Sequence, residues 1–339
     1  MARRAHSKSV FGPLTLLAAA FLLSAGCSKP ANDGHRAVGP IHPSLEPMRQ
    51  SENDREITGL AGADTQYLTY AGLSSIPRVD ATIVNDPDFP NQTLHVSGIA
   101  LDVLAKALNA PASLDLIDAL CTDGYRAHFP ADYIAKHRPI LVLTIDGLSL
   151  ANWAARTHQD DPGPYFVAYE NFVPAFKVLG HADQPQSPYN LVRLNFSTTE
   201  KAFRPITPAG ADPAATYVNG PPVREGFTIA KQNCLRCHSN GSTGGTKSGR
   251  SWTMLSTIAR TRPTYFSSYI LNPKTVDPKA QMPPNPTYDA ATRDALTAYF
   301  RGFNAPAYRP ATPLPGLDTT PTQPTPPAST EMPPGGATQ

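Results

Sequence analysis

Two cysteines two residues apart, with a histidine directly after the second, constrain this chain more than any other feature in it. They are Cys234, Cys237 and His238, within "AKQNCLRCHSNGSTGG". Three chemistries use such a cluster: zinc, a redox disulfide and covalent haem. A structural zinc site needs four ligands, yet no cysteine follows Cys237 and His238 is the last histidine. A thioredoxin-like dithiol belongs in a βαβ setting, whereas this pair sits between a helical pattern and a Gly-rich loop, and it would leave His238 without a role. Covalent haem uses all three residues. Thiols at this spacing reach the two vinyl groups of one porphyrin, and the next residue aims its Nε2 at the iron from the same side.

A second axial ligand is expected downstream. Of the five methionines, Met1 is lost with the leader, Met48 falls in a polar tether and Met332 in the C-terminal tail. Met254, in the helical pattern "SWTMLSTIA", reads as core packing. Met282, in "NPKTVDPKAQMPPNPTYD", lies in a loop stiffened by Pro278, Pro283 and Pro284. Such a loop presents a soft thioether at small ordering cost. His/Met ligation fills both axial positions and raises the potential, which suits electron transfer rather than oxygen binding.

Thioether attachment requires export, and the N-terminus supplies an export signal. "MARRAHSKSV" is basic, Val10 to Leu23 is apolar but short for a span, and "SAGC" follows. The small residues before Cys27 resemble the lipobox of bacterial lipoproteins, although Ser24 stands where that family usually has Leu. The resemblance implies an acylated Cys27 and a membrane lipid anchor, with Ser28 pointing to outer-membrane sorting. Without residues 1–26, 26 Lys and Arg face 27 Asp and Glu. That near-neutral balance suggests neither nucleic-acid binding nor steering by gross charge.

The chain therefore divides into a signal peptide (1–26), a lipid-anchored linker (27–62), a β-rich α+β domain (63–205), an all-α domain (221–303) and a Pro/Thr-rich disordered tail (304–339). The last 36 residues hold ten prolines, a composition that cannot bury a core. In the α+β block the expected strands are "ATIV" from residue 81, "TLHVSGI" from 93, "SLDLIDAL" from 113, "ILVLTI" from 140 and "NLVRLNF" from 190. "ALDVLAKALN" and "PADYIAKH" read as helices. In the all-α block "EGFTIAKQNCLRCH" opens with a helix. "DAATRDALTAYFRGF" closes it, with Asp289 as cap and Leu296, Tyr299, Phe300 and Phe303 on one face.

"GFTIAKQNCLRCH", "YILNPKTVDPKAQMPP" and the aromatic last helix together resemble a class I monohaem cytochrome c over residues 221–303. The resemblance implies that Gly226 and Phe227 pack on the last helix near Tyr299, and that Trp252 and Tyr269 form part of the haem wall. In that family a proline soon after the haem histidine often places the carbonyl that accepts the imidazole Nδ1–H. "SNGSTGGTKSGRSW" contains no proline, so the sequence names no partner for His238.

The segment from Gly98 to Trp153, "GIALDVLAKALNAPASLDLIDALCTDGYRAHFPADYIAKHRPILVLTIDGLSLANW", with "GPYFVAY" and "NLVRLNF", resembles the molybdopterin-binding domain of the sulfite oxidase family over residues 90–198. The resemblance implies a β-rich mixed fold. That family's molybdenum-ligating cysteine precedes the Gly98 helix, and no cysteine stands there, so the domain reads as cofactor-free. Cys121 reads as a core cysteine. Histidines 128, 137, 158 and 181 read as surface or hydrogen-bonded residues, with a copper or iron site involving Cys121 as the sharper alternative.

The leading expectation is a periplasmic, lipid-anchored electron-transfer protein carrying one covalent haem c, serving a redox partner such as a dehydrogenase, an oxidase or another cytochrome. The rivals are a molybdenum-dependent oxidoreductase passing electrons to its fused haem, and a ligand-binding module reported on by the haem.

Overall fold

In the computed structural model, the residues described are 42–60, 64–84, 86, 89–172, 183–208 and 221–303. The signal peptide, Cys27, His181 and the Pro/Thr-rich tail lie outside them. The N-terminal part is β-rich. Its strands, in chain order, are β1 (Leu45–Glu46), β2 (Arg55–Thr58), β3 (Gln66–Leu68), β4 (Val79–Val84), β5 (Thr93–Ala100), β6 (Leu116–Cys121), β7 (Arg126–Pro130), β8 (Ile140–Ile145), β9 (Leu148–Ser149), β10 (Phe166–Ala168) and β11 (Leu191–Ser197). Helices α1 (Tyr70–Ser75), α2 (Leu101–Ala107), α3 (Ala131–His137), α4 (Leu150–Thr157) and α5 (Thr199–Phe203) lie between and after them.

One sheet runs β1-β3-β2-β11-β6-β7 and the other β10-β8-β5-β4, with β9 against β8. The pairings are antiparallel except β11 with β2, which is parallel. β8, "ILVLTI", is apolar at every position but Thr144 because both faces of its sheet are covered. Leu141 and Leu143 join the core shared with the first sheet, while Val142 and Ile145 pack with Trp153 of α4 on the other side.

The strands expected near residues 81, 93, 113, 140 and 190 and both expected helices are present, but the linker boundary is not as expected. Residues 45–46 and 55–58 are sheet strands, with Ile57 in the main core. Arg55 is fully buried, its guanidinium 4.9 Å over the Tyr165 ring and hydrogen-bonded to the Leu191 and Glu52 carbonyls. Burial pulls its pKa down to about 10. A buried arginine in a four-residue strand breaks the apolar alternation by which a strand is read, so "REIT" passes for polar tether.

The C-terminal part is helical: α6 (Pro221–Asn233), α7 (Trp252–Thr261), α8 (Pro263–Leu271), α9 (Pro273–Val276) and α10 (Ala290–Gly302), with a hairpin of β12 (Ser239–Asn240) and β13 (Thr243–Gly244) after α6. Asp289 caps α10 by accepting the Thr292 N–H at 2.8 Å. Leu296, Tyr299, Phe300 and Phe303 all point into the core. Where α6 and α10 cross, Gly226 permits the contact: a Cβ there would lie 2.0 Å from the Ala295 carbonyl oxygen. The Phe227 ring stands 5.7 Å from that of Tyr299.

The two parts share a core. Leu116, Phe203 and Ile206 from the β-rich part pack among the helical residues. Tyr299 accepts the Trp252 Nε1–H at 2.9 Å and donates to the Ile206 carbonyl. Among the described residues no helix is long and apolar enough to cross a membrane.

Candidate functional site

Helix α6 ends just before the cysteines, which lie in tight turns whose carbonyls need donors. Here the chain folds back to supply them. Cys234 O accepts from the His238 N–H at 2.9 Å, Leu235 O from Gly245 at 2.8 Å and Cys237 O from Ser248 at 2.9 Å. Arg236 O accepts from Arg126 of β7, also at 2.9 Å. The fold-back is tight enough to require glycine: a Cβ on Gly245 would lie 1.9 Å from Arg236 O, and one on Gly244, at φ +87°, would lie 2.5 Å from His238 O. The Gly-rich run after His238 is the strap that satisfies the cysteine turns following α6.

Beside this strap lies a cavity of about 470 Å³, lined by Cys234, Cys237, His238 and Met282 together. Leu255, Ile258, Phe266, Ile270, Leu296 and Phe300 supply apolar wall, and Tyr265, Tyr269 and Tyr288 supply aromatic wall. Tyr269 is where the resemblance implies it. Trp252 is not: it is absent from the lining and sits fully buried against Phe300 and Tyr299. An indole with its N–H committed to Tyr299 serves the core rather than the cavity wall.

His238 is buried, and its Nδ1 lies 2.7 Å from the Arg250 carbonyl oxygen. A carbonyl only accepts, so Nδ1 carries the proton and Nε2 keeps its lone pair for a metal. Burial lowers the His238 pKa, which further favours the neutral ring. Burial likewise pushes the Cys234 thiol up to about 12 and raises that of Cys237. Both free thiols are thus protonated at neutral pH, a state unsuited to thiolate exchange.

Met282 is half-buried against the helical core, in the loop between α9 and α10. Asn285, which sequence reasoning does not single out, fastens that loop. Its backbone N–H goes to Leu271 O and its side chain to Ile270 O, both at 2.9 Å. An asparagine set among Pro283, Pro284 and Pro286 is the signal that could have marked it. Met254, expected in the core, is 47% exposed. The buried stripe of α7 is Trp252, Leu255, Ser256 and Ala259, and a residue two places after Trp252 faces away from it.

Cys121 ends β6 and is buried, with its pKa pushed up to about 12 by burial. The histidines of the β-rich part are dispersed. His128 bonds Asp118 at 2.7 Å, His137 bonds Asp183, and His158 caps α4 in left-handed geometry. Among the described residues no group of three or more His, Cys, Asp or Glu could hold a metal ion.

The near-neutral total hides a local imbalance: residues 221–303 hold eleven Lys and Arg against four Asp and Glu. Lys247, Arg250 and Lys279 line the cavity, with Asp277 as the acidic residue beside them.

The helical part is a cytochrome c-like domain. Residues 221–300 match the family model described as cytochrome c oxidase, cbb3-type, subunit III. Among solved structures the chain is similar to the sulfane dehydrogenase SoxCD from Paracoccus pantotrophus, at 14% identity and a TM-score of 0.30. That similarity covers 46% of this chain and 42% of that one. No curated protein matches.

Proposed function

We propose that this protein is an exported c-type cytochrome that carries single electrons through one haem. Cys234 and Cys237 would hold the haem as thioethers, and His238 Nε2 and the Met282 sulfur would be its axial ligands. The observation that carries the reading is the convergence of these four side chains, separated by up to 48 positions in sequence, on one apolar cavity. When bound, the haem supplies a one-electron couple; the chain supplies the rest. The Arg250 carbonyl fixes the imidazole tautomer, the aromatic and aliphatic wall excludes water, and Asn285 holds the methionine loop in place.

The basic groups Lys247, Arg250 and Lys279 beside the cavity suit a redox partner with an acidic face. Export to the periplasm and anchoring through an acylated Cys27 rest on the N-terminal sequence. The β-rich part contributes to the haem-binding loop itself, since β7 satisfies Arg236 O, and this favours a supporting role for it.

The test is expression of the full chain in a cytochrome-maturing host. The expected product carries one covalent haem by mass and shows low-spin spectra with the weak near-infrared band of ferric methionine ligation. Met282→Ala should lose that band. Protein without covalent haem, or a band indifferent to Met282→Ala, would refute the assignment.

A further inference from the structure

Arg236 lies between the two cysteines, yet its side chain leaves the helical part and enters the β-rich part. Its Nε donates to Gln232 O at 2.7 Å and its Nη1 to Pro185 O at 2.9 Å. Its Nη2 is shut off from solvent and makes no hydrogen bond of good geometry among the described residues, although the Tyr125 phenol is close to the guanidinium. Tyr125, Tyr133 and Tyr169 are its neighbours. The hydroxyls of Tyr133 and Tyr169 lie 3.0 Å apart, and they donate to the neighbouring carbonyls of Gln184 and Gln186. A guanidinium keeps its proton in proteins, so the group stays charged. Among the described residues Arg236 forms no ion pair.

A buried cation without a counter-ion is costly, and this one is near enough to the Cys234 and Cys237 thiols to act on both. We infer that Arg236 is a positioning residue with an electrostatic role: seated in the β-rich part, its unpaired charge holds the reduction potential of the neighbouring haem up. The inference rests on the haem assignment above. Taking up one electron lowers the positive charge at the iron by one. A fixed positive charge in a poorly screened setting therefore favours the reduced form. Surface lysines are screened by salt and act less. The β-rich part thus acts as the socket that keeps this charge in place, which gives it a redox function.

The experiment is an equilibrium redox titration of the haem-loaded full chain, wild type against Arg236→Gln and Arg236→Lys, with absorption spectra checking that axial ligation is unchanged. Arg236→Gln should titrate at a lower potential than wild type, Arg236→Lys close to wild type, and the gap should persist at high salt. A merely structural role would loosen the loop in both variants, seen as faster hydrogen exchange at the Arg126 and Thr246 amides, without this charge-dependent order. If Arg236→Gln does not accumulate, Tyr125→Glu sets a carboxylate beside the guanidinium and should likewise lower the potential. An equal or higher potential in the neutralised variant overturns the inference while the haem assignment stands. A wild type that carries no covalent haem overturns both.

Discussion

The imidazole Nδ1 of His238 and the carbonyl oxygen of Arg250 lie 2.7 Å apart, across a loop of eleven intervening residues. Where a nearby proline would usually place such a carbonyl, this chain uses a β-hairpin and the start of α7. Ser251, the N-cap of α7, accepts the Met254 N–H at 3.3 Å and so holds the Arg250 carbonyl in register. Ser251→Ala should cost about 1 kcal/mol of stability through the lost cap. It should also raise the haem potential, because a weaker Nδ1–H bond makes the imidazole a poorer donor to ferric iron. Thermal melts and redox titration check the two effects, and an unchanged potential would sever the cap from the histidine.

Asn285 decides how firmly Met282 is presented. Asn285→Ala leaves Ile270 O without its donor, at a cost of about 1–3 kcal/mol where that carbonyl is shielded. The cost should fall on the loop rather than on the whole fold. The near-infrared methionine band is therefore expected to vanish on heating well before the helical circular dichroism does, whereas in wild type the two should be lost closer together. Coincident loss in the variant would show that the prolines alone hold the loop.

The contact of α6 with α10 depends on the absence of one side chain. A methyl group on Gly226 would put its carbon 2.0 Å from Ala295 O, and neither backbone can yield without separating the helices. Gly226→Ala should therefore destabilise by about 1–3 kcal/mol, even though alanine is the better helix former by about 1 kcal/mol. Denaturant unfolding of the haem-loaded protein measures it, and a stabilised variant would mean that the crossing has room to spare.

These residues show what a single sequence exposes. Cys234, Cys237 and His238 stand out because their spacing is local, and Met282 because prolines isolate it; the structure brings the four to one cavity. Leu296, Tyr299 and Phe300 follow from helical period. Trp252 is expected against the haem because the cytochrome c resemblance implies it, but only tertiary packing reveals that Tyr299 takes its N–H. Strands β1 and β2 escape a local reading because each is short and one buries an arginine whose partners, Leu191 O and the Tyr165 ring, lie more than a hundred residues away. The same holds for Arg236: nothing local tells a surface arginine from one that plugs a neighbouring domain. Long-range partners set these roles, and a local pattern does not carry them.

Asp123 and Lys247 join the β6–β7 turn to the loop after His238 by a contact of 2.6 Å. Burial works against the Asp123 carboxylate, but the Lys247 ammonium and the Tyr125 N–H outweigh it and hold its pKa below the usual range. The hydrogen bond to Asp123 in turn raises that of Lys247. A depressed carboxylate contributes stability that is complete above its ordinary pKa of about 4 and is lost as pH falls through the depressed value. A raised lysine contributes stability that is complete below about 10.4 and is lost as pH rises through the raised value. The link should hold across neutral pH and weaken at both extremes. Both side chains are about half exposed, so the pair is worth about 0.2–1 kcal/mol. Hydrogen exchange at the Thr246 amide, which donates to Gly124 O at 2.8 Å, reports on the junction directly. Its protection should fall in acid in wild type, whereas Asp123→Asn should start lower at pH 7 and stay flat into the acid range. Matching acid profiles in the two proteins would assign the junction to its backbone hydrogen bonds alone.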